Sequence, residues 1–322
     1  MSLLFYTAAN KEYEAFAPIY IYFALNNNPN SYIEIGVEDA NSYRSNNKEQ
    51  IDILRRLFGD RFKFTSVNFN GILPGAVRFI TKPTLARNCD YVYIGDIDIL
   101  LFDDDIKEQH LKNMRRHNVS YSNIIRGPAH TEGDNYRLSG LHFAPTDVQY
   151  PLPDLSNINY SIHNTIRGAD EHVLYQIMKE KDELVPENMK FRPEHGIHIR
   201  TNNYPFGERG KYRPKSSFDE IANGNQNTAW SGLEVSHYRE AFLQSLMSKE
   251  FQELYFTLDM NVKNMLIVLE NACRGRFDQF EKEAFTYMIA ESHYESLLRQ
   301  GLRSLYDDGL STTLYKIMKY LY

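Results

Sequence analysis

The stretch "CDYVYIGDIDILLFDDD", residues 89–105, decides how the rest of the chain is read. Tyr91, Val92, Tyr93 and Ile94 form an unbroken β-forming run, the pattern of a strand buried on both faces. The run then turns acidic, with five aspartates between positions 96 and 105. Asp96 and Asp98 stand two apart in what reads as one extended segment over 90–102. Their side chains then share one side while Ile97 faces the core. Converging carboxylates repel unless a cation satisfies them. A hard divalent ion, Mn2+ or Mg2+, suits oxygen ligands and leaves positions open for phosphate oxygens. Gly95 removes a side chain where another group has to approach. Asp103, Asp104 and Asp105 precede "IKEQHLKNMRRH" and read as helix N-terminal acids, capping or solvated, with a structural role.

Upstream of this stretch, strand and helix signals alternate. "LLFYTA" reads as a buried strand, and "EYEAFAPIYIYFALNNNPN" as a helix stopped by the asparagine run and Pro29. "SYIEIGV" is a second strand, "NKEQIDILRRLFG" a helix ended by Gly59, and "RFKFTSVNF" a third strand. "GAVRFITKPTLARN" has helical spacing broken by Pro83. This alternation predicts an α/β fold with a mixed, mostly parallel sheet flanked by helices. Ligands gather at the carboxyl ends of the strands in such sheets. Residues 119–235 are richer in Asn, Pro, Gly and His. "YRLSGLHFAPTDVQY" and "HGIHIRTNNY" read as strands within functional loops, and "GADEHVLYQIMKEK" as a helix with acid at its start. From about 237 apolar residues recur at helical spacing, which predicts a helical C-terminal region of about four helices at average length. The expected division is therefore 1–236 and 237–322.

With 322 residues, 42% of them hydrophobic, the chain can bury a substantial core. A formal charge of −6 with mixed signs argues against nucleic-acid binding. The two cysteines, Cys89 and Cys273, lack metal-ligand spacing, so a reducing, cytoplasmic setting fits. "MSLLFYTAANKEYE" is not read as a signal peptide, and no apolar run approaches the roughly 18 residues of a membrane span.

"YVYIGDIDILLF" resembles the Asp-x-Asp region of GT-A-fold (Rossmann-like) glycosyltransferases, and the order of the surrounding motifs is similar to their family-8-like members, which include bacterial lipopolysaccharide galactosyltransferases and glycogenins. "AVRFITKPTLARNCDYVYIGDID" looks like the Arg-bearing helix before the metal strand, with Arg78 in the matching place. "RLSGLHFAP" is similar to the small-residue strand that lines the sugar site, through Ser139 and Gly140. "RGADEHVLYQ" matches an acid-containing helix start through Asp170 and Glu171. "HGIHIRTNNYPFGERGKYRP" resembles a metal-ligand histidine followed by a basic phosphate-binding stretch. The motifs cover about residues 3–215. The family's His–Gly–Lys–Pro–Trp ending is absent as such, and the only tryptophan, Trp230, lies downstream.

The resemblance implies a retaining, metal-dependent transfer from a UDP-sugar, with Asp96 and Asp98 as metal ligands and His198, or alternatively His195, as the third. It places the nucleotide base and ribose at Thr7, Ala8 and Asn10, with Tyr6 or Tyr13 in reach for stacking. Arg78, Asp96, Ser139 and Gly140 belong to the donor site, and Lys211, in a loop with Arg209, Arg213 and Lys215, to the diphosphate. Asp170 and Glu171 are the candidate catalytic carboxylates, either for sugar hydroxyls or for an oxocarbenium-like transition state. His142, Asp134 and Arg137 fall in the acceptor loop without assigned roles. The expected partners are a nucleotide-sugar donor and a glycan or lipid-linked acceptor in bacterial surface polysaccharide synthesis. Contact with the inner face of the membrane and a homo-oligomer through the C-terminal helices stay open. Two other classes compete with this reading. A sugar nucleotidyltransferase would need a Gly-rich basic loop where this chain has "TAANKEYE". A non-catalytic carbohydrate- or metal-binding protein would bind donor without turnover.

Overall fold

The computed structural model describes residues 2–127, 136–164, 166, 168–199, 232 and 235–274. Strand β1 (Leu3–Ala9) leads through a short 3-10 turn into helix α1 (Ala17–Asn27), and β2 (Ser31–Val37) follows. Helices α2 (Ala40–Asn46) and α3 (Lys48–Phe58) then precede β3 (Phe62–Ser66). The Pro-interrupted stretch contains α4 (Val77–Ile80) between two 3-10 turns, before β4 (Tyr91–Ile94). Next come β5 (Ile99–Leu101), α5 (Ile106–His117), β6 (Ile125–Arg126), β7 (Arg137–Leu138), β8 (His142–Pro145) and α6 (Thr146–Gln149). Helix α7 (Ala169–Glu180) and β9 (Gly196–His198) complete this part.

The main sheet has the order β3-β2-β1-β4-β8, parallel except for the antiparallel β8 at its edge. It is the mixed, mostly parallel sheet that the alternation predicts. Strand order reverses between β1 and β4, which is where a doubly wound sheet opens a crevice at its carboxyl edge. β1 pairs with β4 only as far as Tyr6 opposite Ile94, then continues to Ala9 paired with β2 alone.

The single strand expected over 90–102 is in fact two. β4 stops at Ile94, the chain turns through Asp96–Asp98, and β5 joins β9 in a separate antiparallel pair. Two adjacent carboxylates cannot follow β4 into a sheet interior without losing hydration, so the backbone leaves the sheet as the acids begin. Ile97 anchors the turn, 4% exposed within the main apolar core. Helix α2, absent from the sequence reading, is held by the Asp39 side chain, which accepts from the amides of Asn41 at 2.9 Å and Ser42 at 3.1 Å.

Three helices end the described chain, Ser236–Met247, Lys249–Thr257 and Met260–Cys273. Their apolar faces enter the core that α1 lines. Phe251 meets Tyr22 at 4.9 Å and Phe23 at 5.3 Å between ring centroids, and Tyr238 stacks on Phe102 at 5.9 Å. Full burial of Phe242, Phe251 and Leu254 stabilises this packing by about 2 kcal/mol per side chain. Among the described residues no helix is long and apolar enough to cross a membrane.

The β5–β9 pair depends on one glycine. A Cβ on Gly196 would lie 1.8 Å from the Leu100 carbonyl oxygen, a backbone atom that cannot swing aside. Gly196→Ala should therefore lower stability by about 3 kcal/mol, read as a fall in denaturation midpoint, and weaken divalent-cation binding through displacement of His198. An alanine variant with native stability and cation binding would show that this pairing is not needed.

Candidate active site

The crevice beyond β1 and β4 is a cavity of about 460 Å³. One end holds the acids of the turn. Asp98 is 7% exposed and Asp96 partly so, because Gly95 and the turn swing both carboxylates off the sheet edge. His198, at the end of β9, is brought opposite Ile99 by strand register, and the Ile199 amide donates to the Asp98 carbonyl at 2.7 Å. The His198 Nε2 therefore stands 3.1 Å from Asp98 Oδ1 and 4.0 Å from Asp96 Oδ2. One ligand atom from each of the three lies within 4.8 Å of the others. Burial disfavours a charged His198, but Asp98, Glu194 and Asp96 outweigh it and raise its pKa to about 10. The His198 Nδ1 faces Glu194 at 3.6 Å, close enough for charge attraction and long for a hydrogen bond. Two carboxylates and an imidazole, with a carboxylate behind the ring, form a donor set that fits Mn2+ or Mg2+.

Arg78, on α4, lies between this end and helix α7. Its Nη2 contacts Asp96 Oδ1 at 2.8 Å and Asp170 Oδ2 at 3.2 Å, and its guanidinium stacks on Phe79 at 4.7 Å. Desolvation raises the Asp170 pKa, with Asp96 and Glu171 adding to the rise and Arg78 opposing it. Gly75 admits this carboxylate, since a Cβ there would meet Asp170 Oδ2 at 2.8 Å. Glu171 accepts from Arg126 Nη1 at 2.9 and 3.1 Å and from the Gly140 amide at 3.1 Å, with Arg137 at 3.5 Å.

The residues singled out by sequence divide on geometry. Arg78, Asp96, Asp98, Asp170, Glu171, His198, Ala8 and Tyr13 all line the cavity. Gly140 borders it, where a Cβ would press on Arg78 Nη2 at 3.0 Å. Thr7 and Ser139 are fully buried, and the Ser139 hydroxyl accepts from Arg192 Nε. Asn10 is not part of the lining and holds the turn after β1, its carbonyl accepting from the amides of Tyr13 and Glu14 at 2.9 Å each. Tyr6 is fully buried in the apolar core beneath α4 and α7, so it is not placed to stack on a base. Lys211, Arg209, Arg213, Lys215, Asp134 and Trp230 lie outside the described residues.

His195 faces away from Asp96 and Asp98. Its Nδ1 contacts Asp103 Oδ2 at 2.8 Å and its Nε2 meets His110 Nε2 at 2.9 Å, while His110 Nδ1 meets Ser122 Oγ at 2.8 Å. Burial keeps His110 neutral. One proton assignment that satisfies every contact has His195 donating to Asp103, His110 donating to His195, and Ser122 donating to His110. This corrects the reading of Asp103 as a capping or solvated acid. Burial would raise the Asp103 pKa, but hydrogen bonds from His195, Tyr238 and His237 prevail and hold it at about 2. Asp105 occupies the N-cap of α5 without a side-chain capping bond.

Arg126 and Arg192 also line the cavity and were missed, as was Glu194 behind His198. Arg126 comes from a two-residue strand with no periodic signal. Glu194 stands four residues before His198, a spacing that carries meaning only once the local backbone is known.

No protein-family model matches the chain, and no curated protein sequence does. Solved glycosyltransferase structures are similar in fold. The galactosyltransferase LgtC, solved with donor and acceptor sugar analogs, is 20% identical, with 45% of this chain and 58% of that chain covered at a TM-score of 0.31. This chain thus spans less than two thirds of the length of LgtC. The glycosyltransferase GlyE of Streptococcus pneumoniae TIGR4 is 16% identical over 56% of this chain and 43% of its own, with a TM-score of 0.34. The mannosyltransferase PcManGT of Pyrobaculum calidifontis, solved with GDP-Man and Mn2+, is 10% identical over 99% and 87%, with a TM-score of 0.36. Likeness at this level leaves the functional argument to the residues of the cavity.

Proposed function

We propose that the protein is a metal-dependent glycosyltransferase of GT-A type that takes its sugar from a nucleotide-sugar donor. The observation that carries this reading is the meeting of Asp96, Asp98 and His198 with Arg78, Asp170 and Glu171 around one cavity at the sheet's switch point. Asp96, Asp98 and His198 are the residues to hold Mn2+ or Mg2+, which when bound would act as a Lewis acid toward the departing nucleoside diphosphate. Arg78 fixes Asp96 and Asp170 relative to each other. Asp170 is the carboxylate we assign to the donor sugar, for its hydroxyls or for the positive charge that develops at its anomeric carbon. Glu171, engaged by two arginines and an amide, is assigned to ordering that wall. Ala8 leaves room for the nucleoside, Tyr13 is the ring in reach of its base, and Lys211 is assigned to the diphosphate.

A UDP-sugar donor, retention of configuration, and a glycan or lipid-linked acceptor in bacterial surface polysaccharide synthesis complete the proposal. A cytoplasmic location, with residues 1–236 as the catalytic unit and 237–322 as its helical extension, is consistent with it. The test is release of nucleoside diphosphate from a panel of UDP- and GDP-sugars. Release should require Mn2+ or Mg2+, fall at least tenfold with excess EDTA, and return on cation addition. No release from any donor at saturating cation, with folded protein, would remove the transferase reading.

A further inference from the structure

Beside the acids of the cation site, the cavity carries a second group of charges that are not candidate cation ligands. Arg126 and Arg192 line it, with side chains 31% and 21% exposed, so a ligand can reach both. Glu171 is shared among Arg126, Arg137 and the Gly140 amide. Glu194 lies 3.7 Å from Arg192 Nη1 and is also claimed by His198 at 3.6 Å. Among the described residues, three guanidiniums, those of Arg126, Arg137 and Arg192, thus face two carboxylates, and one carboxylate also serves a histidine. Arg78 does not add to this excess, because Asp96 and Asp170 flank it. Burial and the nearby Arg126 disfavour charge on Arg192 and outweigh Glu194, Glu171 and Asp96, which favour it, so the two guanidiniums are held together at a cost. An arginine kept only to fasten Ser139 would need no second cation beside it.

We propose that Arg126 and Arg192 form a subsite for a carboxylate or phosphate group carried by the sugar substrate, distinct from the diphosphate position at the cation end. The planar fork of each guanidinium suits such an anion, and partial burial of both side chains strengthens the interaction. This rests on the nucleotide-sugar reading for the identity of the ligand, but the anion subsite itself can be tested without it. The anion can come from the transferred sugar or from the acceptor, and the two sources separate in the experiment.

Binding to the whole chain is measured by ligand-observed NMR and calorimetry with three pairs of probes. These are UDP-glucose against UDP-glucuronate with Mn2+, methyl glucoside against glucuronate with UDP and Mn2+, and glucose against glucose 6-phosphate without nucleotide or metal. The native protein should favour the anionic member at least tenfold in one of the first two pairs and in the third. A preference in the first pair assigns the anion to the donor, and one in the second assigns it to the acceptor. Arg192→Gln and Arg126→Gln should each erase the preference while UDP–Mn2+ affinity stays within threefold. Arg192→Lys should restore part of it. Equal binding of anionic and neutral probes by the native protein overturns the proposal without reference to any variant. So does a parallel loss of UDP–Mn2+ affinity in both glutamine variants, which would place the pair on the diphosphate. Preference in the third pair without any UDP–Mn2+ binding would keep the anion subsite and reject the UDP-sugar reading. Failure of both would reject the two together.

Discussion

Replacing Asp98 with Asn should cut cation-dependent donor cleavage by roughly 10²–10³-fold and weaken Mn2+ binding more than the same change at Asp96. The asymmetry follows from what already surrounds each carboxylate. Asp96 lies 2.8 Å from the Arg78 guanidinium, so part of its charge is compensated before a cation arrives. Asp98 has His198 at 3.1 Å, and cation binding requires that imidazole to be neutral. Asp98 therefore supplies more of the uncompensated negative charge that a cation would meet. Asparagine keeps the volume and one carbonyl oxygen, so the Ile97 anchor and β5 should stay in place. Mn2+ titration by calorimetry, donor cleavage and thermal melting would be measured on both variants. Native Mn2+ affinity and turnover in Asp98→Asn would sink the metal assignment. A larger loss in Asp96→Asn would mean that Arg78 moves off the carboxylate when the cation binds.

What was legible in the sequence follows the range of the forces involved. Strands β1, β2 and β4 were readable because each is a short run of residues buried by its own sheet neighbours. The Asp96–Asp98 pair stood out by its spacing, but a turn, not an extended strand, brings the two carboxylates toward His198. The break between β4 and β5 was not readable, since an extended run with acids inside looks the same whether it continues or leaves the sheet. Only the competing partner, β9, decides it. Helix α2 escaped because "ANSYRSN" has just two buried positions, Ala40 and Tyr43, and is held by one side-chain cap. Asp103 was misread for a related reason. Three acids before a helix satisfy a local rule, but His195, ninety-two residues away, claims the first of them. Arg126 and Arg192 had no local signature because their meaning lies in each other and in Glu171, which the fold brings together from separate elements.

Acid should destabilise the protein well before its carboxylates titrate, and His142 is the main cause. This imidazole is fully buried, with Nε2 at 3.0 Å from Gln149 Oε1 and Nδ1 at 3.1 Å from Asn123 Nδ2. A ring that donates from Nε2 and accepts at Nδ1 satisfies both neighbours, whereas a proton on Nδ1 would point at the amide donor of Asn123. Asn123 has no slack to turn over, because its Oδ1 accepts from the Ile124 and Ser139 amides and its Nδ2 also donates to the Ser139 carbonyl. Burial lowers the His142 pKa to about 3, with Lys181 adding to the effect and Gln149 opposing it. The unfolded chain takes up its proton near pH 6.5 and the folded one does not until about 3, so the unfolded state holds more protons between those values. Stability is then complete above 6.5 and falls as pH drops, by about 1.4 kcal/mol per unit and about 5 kcal/mol in all. His110, whose pKa is also pushed well below 6.5 by burial, steepens the same limb. His198 does not, since its raised pKa gives a stabilisation already complete below 6.5 and lost only toward 10. Unfolding free energies from urea titrations between pH 4.5 and 8, with EDTA present, would show the slope. His142→Gln should lower the slope between pH 6.5 and 4.5 by about one proton, and an unchanged slope would mean that His142 does not set the acid limit. Because Asn123 ties His142 to the Ser139–Gly140 turn, the same protonation would loosen the Glu171 wall, so activity should fail together with stability.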